Sequence, residues 1–243
     1  MPSSPSRQAD LRRLIAKPFA HRGLHGPGRI ENSRAAFEAA IAAGHGIELD
    51  VQASLDGEAM VFHDYELGRL AAGEGKVATL SAGDLGRIKL KGTDEAIPTL
   101  KEVLALIGGK AALLIEVKSP GREIGALSRS VAAALGSYIG PVAVMSFNPE
   151  VGRWFARHAP NVLRGLVVTE AGKAWRGTLT RHLALWRSRA DFLAYDIRDL
   201  PSRFAGAQRM KGLPVLTWTC RSFSDRARAA EHADQIIYEV PPT

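Results

Sequence analysis

The stretch IELDV at residues 47–51 sets acidic side chains at alternate positions of an apolar run. Because successive side chains of a β-strand point to opposite faces, Glu48 and Asp50 share one face and the apolar residues share the other. The same alternation puts Glu116 and Lys118 on one face of a later run. Charged pairs of this kind, together with a His-Arg dipeptide, indicate a site that holds a cation and an anion together. The three segments are FAHRG (19–23), IELDV (47–51) and LLIEVK (113–118).

Short β-rich runs alternate with helical stretches from residue 19 onward, which predicts a parallel sheet covered by helices. Eight strand–helix units in about 225 residues match the size of a (β/α)8 barrel of the TIM type. A doubly wound open sheet is the competing architecture, but the chain lacks the glycine-rich strand-to-helix turn of dinucleotide-binding sheets. The predicted strands are 19–23, 47–53, 112–118, 142–147, 164–168, 192–197, 214–219 and 235–239.

Helix starts are marked by capping residues. Thr99 with Glu102 forms a capping box, and Asn148-Pro149 places a cap before a proline at the first helical position. Asn32 is predicted to cap the helix that follows the first strand, or else to contact a ligand from that helix N-terminus.

The chain departs from the strand–helix repeat after the second strand. The sequence SLDGE at 54–58 offers an Asp-Gly hairpin turn, and AMVFHD at 59–64 can return antiparallel. This return would place His63 beside the acidic pair of the second strand. Residues 64–98 are rich in glycine and weakly periodic, so we predict a small insertion that lies over the barrel mouth. The whole chain, residues 1–243, is then a single domain.

Charged or titratable side chains fall near the carboxyl ends of the predicted strands, where barrel enzymes keep their active sites. Three of them are carboxylates, which would repel one another by several kcal/mol per pair at close range, so a cation must lie among them. Ligands that are all oxygen favour a hard cation, Mg²⁺ or Ca²⁺, over Zn²⁺. The six residues are His21, Arg22, Glu48, Asp50, Glu116 and Lys118.

Formal charges point to a phosphodiester as the anion. The three carboxylates carry three negative charges, whereas a divalent ion together with Arg22 and Lys118 carries four positive ones. The remaining positive charge matches a phosphodiester monoanion, and the cations would stabilise charge that develops on phosphorus. His21 and His63 can supply the general base and the general acid. Alternatively, the three acids are structural ion-pair partners of the two bases.

Trp218 lies near the end of the seventh predicted strand. It either packs in the core or forms an apolar wall for a glycerol moiety.

Eight short motifs occur in the order in which the glycerophosphodiester phosphodiesterase family has them, and the chain resembles that family over nearly its whole length. The resemblance implies a TIM-type barrel with an inserted segment, a divalent metal on Glu48, Asp50 and Glu116, and acid–base roles for His21 and His63. The motifs are HRG (21–23), ENS (31–33), ELDV (48–51), VFHD (61–64), IPTL (97–100), IEVK (115–118), SFN (146–148) and LTWT (216–219).

The resemblance also implies a reaction. A neighbouring glycerol hydroxyl attacks phosphorus to give a cyclic phosphate, which water then opens, so that an alcohol and glycerol 3-phosphate are released. Two strand ends depart from the family pattern and bear on the alcohol group. Tyr195-Asp196 stands where small or amide residues are frequent, and the last strand ends in Tyr238-Glu239 where the family usually has Thr-Asp.

The net charge of +7 lies in the second half of the chain, where 17 Lys and Arg face 10 Asp and Glu. An arginine-rich solvated surface explains this excess, because the arginines form no stripe with aromatic residues of the kind that binds nucleic acid. Two alternatives use the basic half. One is a phosphodiesterase that acts on lysophospholipids at an anionic membrane surface, and the other is a non-catalytic anion-binding barrel recruited to nucleic acid.

The expected partner is a small-molecule phosphodiester, with neither nucleic acid nor stable membrane insertion. No apolar run reaches the length of a membrane span, and residues 1–17 lack the apolar centre of a signal peptide. Cys220 is the only cysteine, so no intrachain disulfide can form. These features predict a cytoplasmic protein of unknown oligomeric state.

Overall fold

Parallel strands close into a barrel, since the first strand pairs with both the second and the last. The computed structural model describes residues 5–171 and 176–240, while residues 1–4, 172–175 and 241–243 lie outside the described ranges. The predicted (β/α)8 barrel is confirmed, and each of the eight predicted strands is present. Its strands are β1 (Phe19–Ala20), β2 (Gly46–Ala53), β4 (Leu113–Val117), β5 (Val142–Ser146), β6 (Leu163–Val168), β7 (Phe192–Asp196), β8 (Val215–Cys220) and β9 (Gln235–Tyr238), and the antiparallel β3 (Ala59–Val61) pairs with β2.

Helices cover the outside of the barrel, and helix α1 packs against its interior. Leu11 and Leu14 of α1 join a buried cluster to which every barrel strand except β2 contributes, for example through Phe19 and Leu114. The helices are α1 (Pro5–Leu14), α2 (Arg34–Ala42), α3 (Ala82–Leu85), α4 (Leu100–Ile107), α5 (Gly125–Leu135), α6 (Pro149–His158), α7 (Arg176–Ser188), α8 (Arg203–Met210) and α9 (Phe223–His232).

The alternation along β2 separates two environments. Ile47, Leu49 and Val51 pack in the larger apolar cluster between strands and helices. Glu48 and Asp50 point to the other side of the strand, into the barrel, and both are buried. The period-2 pattern therefore assigns the acidic pair to the barrel interior, as the sequence predicts.

Two of the three predicted helix caps are confirmed. Thr99 and Glu102 form a capping box on α4, and Asn148 caps α6. The prediction that Asn32 caps α2 is wrong, because the cap is Ser33, whose hydroxyl accepts a hydrogen bond from the backbone N–H of Ala36. Asn32 has left-handed backbone (φ 57°), whereas an N-cap residue is normally extended.

The predicted hairpin is confirmed, with Val51 opposite Val61 and a left-handed Gly57 in the turn. The chain that follows β3 builds a small apolar cluster of its own, in which Leu67, Leu85 and Ile97 pack around Met60. This second cluster explains the weak periodicity of residues 64–98, since the segment contains one short α-helix and a 3-10 helix at Val77–Thr79.

The longest helix of the described ranges, α7, has 13 residues. Among the described helices, none has the combination of length and apolar character that a bilayer crossing requires.

Candidate active site

Three carboxylates converge at the carboxyl ends of β2 and β4. These strands are neighbours in the barrel, and their register pairs Asp50 with Glu116. Glu48 lies two residues before Asp50 on the same inward face. One carboxylate oxygen from each of the three lies within 4.8 Å of the others. Glu48 and Asp50 are each 1% exposed, so water screens little of their repulsion.

The electrostatics of this cluster require a cation. Burial, followed by the charges of Asp50 and Glu116, raises the pKa of Glu48 well above its usual range. Burial and Asp50 also raise the pKa of Glu116. Burial opposes the charge on Asp50 as well, but Lys118 and Arg22 outweigh it and lower the pKa of this carboxyl. A divalent cation bound here would stabilise the ionised forms of Glu48 and Glu116. The cluster therefore fits an all-oxygen metal site.

Two basic side chains flank the carboxylates. The Nζ of Lys118 lies 3.1 Å from an oxygen of Glu116 and 3.2 Å from one of Asp50. The Nη1 of Arg22 donates to Glu31 at 2.6 Å, and its Nε lies 3.3 Å from Asp50. Although burial opposes both positive charges, the neighbouring carboxylates raise the pKa of each base. Two fixed cations thus face three acids across the barrel mouth.

Left-handed backbone after β1 places these groups. Arg22 has φ 57°, and its N–H donates to the carboxylate of Glu48 at 3.0 Å. Gly23 follows with φ 78°, and a side chain there would meet Ala36 of α2 at 2.9 Å. Asn32 is also left-handed, and its side-chain amide donates to Asp50 at 2.9 Å. The loop between β1 and α2 therefore orients both acids of β2.

His21 stands between the acidic cluster and the end of β9. Its Nε2 lies 3.9 Å from Glu48, while its Nδ1 lies 2.6 Å from the carboxylate of Glu239. Arg221 donates two hydrogen bonds to that carboxylate, from Nε at 2.7 Å and from Nη2 at 2.9 Å. Burial and the charge of Arg22 lower the pKa of His21 despite the bond to Glu239. A neutral ring with its proton on Nδ1 leaves Nε2 as the proton acceptor on the side of the acids.

His63 has the same kind of support from another part of the chain. Its Nδ1 lies 2.6 Å from Asp64, and Arg69 donates to Asp64 through Nε at 2.5 Å. Arg69 also donates to Glu31 at 2.8 Å, which links it to the partner of Arg22. The bond from Arg69 is the main cause that lowers the pKa of Asp64 to about 2. Burial, and then Lys118 and Arg22, lower the pKa of His63.

A cavity of about 410 Å³ joins most of these groups. Its lining includes the predicted site residues His21, Arg22, Glu48, His63, Glu116, Lys118 and Trp218. Trp218 donates from its indole nitrogen to the carbonyl of Ala194 at 2.9 Å, and its ring meets that of Phe147 edge-on with centroids 5.7 Å apart. Asp196 also lines the cavity, where Arg198 holds its carboxylate at 2.6 Å.

A larger groove of about 790 Å³ shares Phe147 with this cavity. Its charged lining residues are Arg122, Glu150 and Arg187, and its described lining includes neither histidine nor any acid of the cluster. The smaller cavity is therefore the candidate active site.

Asn32 and Lys118, two residues predicted to lie in the site, both contact the acidic cluster. Asn32 is 1% exposed and bonds Asp50, so its direct neighbour is a carboxylate of the cluster, and substrate contact stays a prediction. Lys118 pairs with Glu116 and also with Asp50.

Four residues that support the histidines are not among the predicted site residues: Asp64, Arg69, Arg221 and Glu239. Of these, only Glu239 is singled out in the sequence, as a departure from the family pattern. Glu239 and Asp64 could have been identified, since each directly follows a strand end or a histidine. The two arginines carry no such signal.

Comparison with known proteins agrees with this geometry. Residues 21–239 match the model of the glycerophosphoryl diester phosphodiesterase family. The chain belongs to this family. The resemblance that the eight motifs carry is thus confirmed, and the chain is an enzyme of the family's activity, the hydrolysis of glycerophosphodiesters. Family membership and the carboxylate cluster together indicate a divalent metal cofactor.

Similar members of the family cover almost the whole chain. A glycerophosphodiester phosphodiesterase of Caldanaerobacter subterraneus is 31% identical over 93% of this chain and 94% of the relative. A solved structure of a putative family member from Silicibacter pomeroyi has a TM-score of 0.81 at 23% identity and covers 96% of this chain and 94% of its own. A phosphodiesterase from Oleispira antarctica, solved with the product sn-glycerol-3-phosphate, has a TM-score of 0.79 at 22% identity, covering 91% of each chain.

We expect metal binding to release protons. Glu48 and Glu116 have raised pKa values without a cation, and a cation must displace the protons that they hold. The metal affinity should therefore fall as the pH is lowered through these raised values, whereas Asp50, whose pKa is lowered, contributes nothing in this range. Calorimetric titration with Ca²⁺ in buffers of different ionisation enthalpy measures the release. An affinity and a heat that do not depend on pH or buffer would contradict the expectation.

Proposed function

We propose that this family member hydrolyses small glycerophosphodiesters to an alcohol and glycerol 3-phosphate, with His21 and His63 as its acid–base pair. One observation carries the assignment: both rings line one cavity with the acidic cluster, and each ring is held at Nδ1 by a carboxylate. With Nδ1 held in this way, a neutral ring can take a proton at Nε2 and a protonated ring can give one from Nε2, at opposite sides of a phosphate.

The anion fits the charges of the cavity. Glu48, Asp50 and Glu116 are the proposed ligands of the metal, and a donor set of oxygen alone favours Mg²⁺ or Ca²⁺. When bound, such a cation supplies positive charge for the phosphoryl oxygens. Arg22 and Lys118 add two positive charges beside it. With the three carboxylates, the site then has a net formal charge of +1, which one phosphodiester monoanion would neutralise.

The proposed reaction moves two protons. One histidine, in its neutral form, accepts the proton of the glycerol hydroxyl at Nε2 as its oxygen bonds to phosphorus. The other histidine, which enters the step protonated at both ring nitrogens, donates its Nε2 proton to the alcohol oxygen as its bond to phosphorus breaks. Water then opens the cyclic phosphate with the two proton transfers reversed. Arg22 and Lys118 stabilise the charge on the phosphoryl oxygens in both steps. Trp218 is the proposed apolar wall for the glycerol moiety, since it lines the same cavity as these groups.

The direct test is the release of glycerol 3-phosphate from glycerophosphocholine and glycerophosphoethanolamine, with Mg²⁺ or Ca²⁺ added or removed by EDTA. His21→Ala and His63→Ala should each lower kcat by about 100-fold or more, because a proton transfer is lost. His232→Ala, in an exposed His–Glu pair at the end of α9, is the matched control and should not change kcat. Turnover near the unmodified rate in either cavity variant would remove that residue from the mechanism, and activity unaffected by EDTA would remove the metal.

We also propose that residues 1–243 form one domain in which residues 64–98 are an inserted segment over the barrel mouth, next to the active site. Arg69 supports this proposal, because it pairs with Asp64 inside the segment and with Glu31 outside it, which in turn bonds Arg22. The expected partner remains a small-molecule phosphodiester, and the cytoplasm remains the predicted compartment.

Arg69→Met should lower kcat by about 10-fold or more, since Asp64 and Glu31 lose the group that orients them. The metal affinity should stay nearly unchanged, because Arg69 does not contact the acidic cluster. Arg87→Met, which removes an exposed arginine paired with Asp84 in the same segment, is the control. Steady-state kinetics of both variants make the comparison, and equal rates for the two would show that Arg69 has no positioning role.

A second substrate class, lysophospholipids at an anionic membrane surface, is favoured by one feature of α7. Leu179, Leu183 and Trp186 lie at i, i+4 and i+7, and they are 71%, 58% and 73% exposed. They form one apolar face, of the kind that enters the interface of a bilayer. In co-sedimentation with vesicles rich in phosphatidylglycerol at low salt, the unmodified protein should then be found in the vesicle pellet. The Trp186→Ala variant should remain in the supernatant. A protein that stays in the supernatant would exclude this substrate class.

A further inference from the structure

The imidazole of His21 separates two clusters of metal-ligating groups. Its Nε2 faces the three carboxylates, which lie on one side of the ring. On the other side, a ring nitrogen of His25 and a carboxylate oxygen of Glu239 approach His21, and the three ligand atoms all lie within 4.8 Å of one another. The first cluster offers oxygen alone, whereas the second offers two nitrogens and one oxygen.

His25 has no part in the proposed reaction, yet one of its nitrogens is held in an unfavourable state. His25 lies in the loop after β1, where its backbone N–H donates to the carbonyl of Gly23 at 2.9 Å. Its Nε2 is buried and, among the described residues, has no hydrogen-bond partner. A buried polar atom without a partner is energetically unfavourable, so a ligand that bonds to it gains free energy.

The donor set of this second cluster selects a different class of ion. Two imidazole nitrogens and a carboxylate are ligands that Zn²⁺ accepts readily, whereas Mg²⁺ and Ca²⁺ prefer oxygen. His21 Nδ1 and Glu239 Oε1 lie 2.6 Å apart, within hydrogen-bond distance. Two ligands of tetrahedral zinc lie roughly 3.3 Å apart, so the pair needs only a small displacement. Arg221 remains on Glu239, and its charge weakens binding without blocking it.

We propose that His21, His25 and Glu239 form a second, inhibitory metal site for Zn²⁺ or a similar borderline divalent ion. The ion takes the place of the proton on His21 Nδ1, and the ring carries its single proton on Nε2 instead, so that no proton is lost and the oxidation state of the metal does not change. With the ion on Nδ1 and the proton on Nε2, His21 can no longer accept a proton from the substrate, and hydrolysis stops. The inhibitory effect rests on the proposed acid–base role of His21, whereas the binding does not.

Inhibition by Zn²⁺ at saturating Mg²⁺ is the first test. The unmodified enzyme should lose activity in a manner that further Mg²⁺ does not reverse. His25→Ala should keep the basal kcat but need about tenfold more Zn²⁺, or more, for half-inhibition, since one of three ligands is gone. His25→Gln is a second variant in case alanine disturbs the loop, and His232→Ala is the control. An unchanged Zn²⁺ dependence in both His25 variants, or full reversal by Mg²⁺, would overturn the proposal, because zinc would then be on the carboxylates.

Binding measured without turnover separates this site from the proposed function. Co²⁺ added to the Mg²⁺-saturated enzyme should give the intense visible absorption of a low-coordinate, nitrogen-ligated ion, and His25→Ala should abolish it. If the spectrum depends on His25 while Zn²⁺ fails to inhibit, the metal site stands and the acid–base role of His21 falls. If the unmodified enzyme and His25→Ala give the same spectrum, the metal site falls, whatever the kinetics show.

Discussion

The mutual repulsion of three carboxylates is the interaction on which the rest of the active site depends. Glu48, Asp50 and Glu116 are brought together by the pairing of two neighbouring strands, and the burial of Glu48 and Asp50 removes water that would screen the repulsion. Arg22 and Lys118 offset part of this charge. The left-handed turn after β1 gives Glu48 a backbone N–H, and the buried amide of Asn32 holds Asp50. Each of these features makes an otherwise unfavourable cluster tolerable and leaves it deficient in positive charge, which is the condition for binding a cation.

The two histidines are built alike although they come from different parts of the chain. In each case a carboxylate bonds Nδ1, and an arginine holds the far side of that carboxylate. The carboxylate alone would favour a protonated ring, but the arginine keeps the carboxylate engaged, and burial opposes the charge. Burial lowers the pKa of both rings, and the bond at Nδ1 leaves Nε2 of each ring as the nitrogen that accepts a proton or, once it carries one, donates it.

Sequence periodicity was sufficient to predict the strands and the residues on their inner faces. Side chains alternate along a strand, and the active sites of barrel enzymes lie at the carboxyl ends of the strands, so the two rules together predict where a side chain points. The Asp-Gly turn added His63 in the same way. The cap of α2 was misassigned by one residue, since Asn32 and Ser33 can both cap a helix and only the left-handed backbone of Asn32 decides between them. Arg69 could not have been identified, because its partners depend on how a segment with its own small apolar cluster packs against the barrel.

The ion pairs that run from Arg22 through Glu31 and Arg69 to Asp64 connect the Arg22 side of the cavity with the inserted segment. We therefore expect the packing of the segment against the barrel to be coupled to the orientation of His63. By mass action, any ligand that binds only when His63 is oriented also stabilises the docked segment. Slower proteolysis or hydrogen exchange in residues 64–98 would then report on occupancy of a cavity that those residues scarcely line.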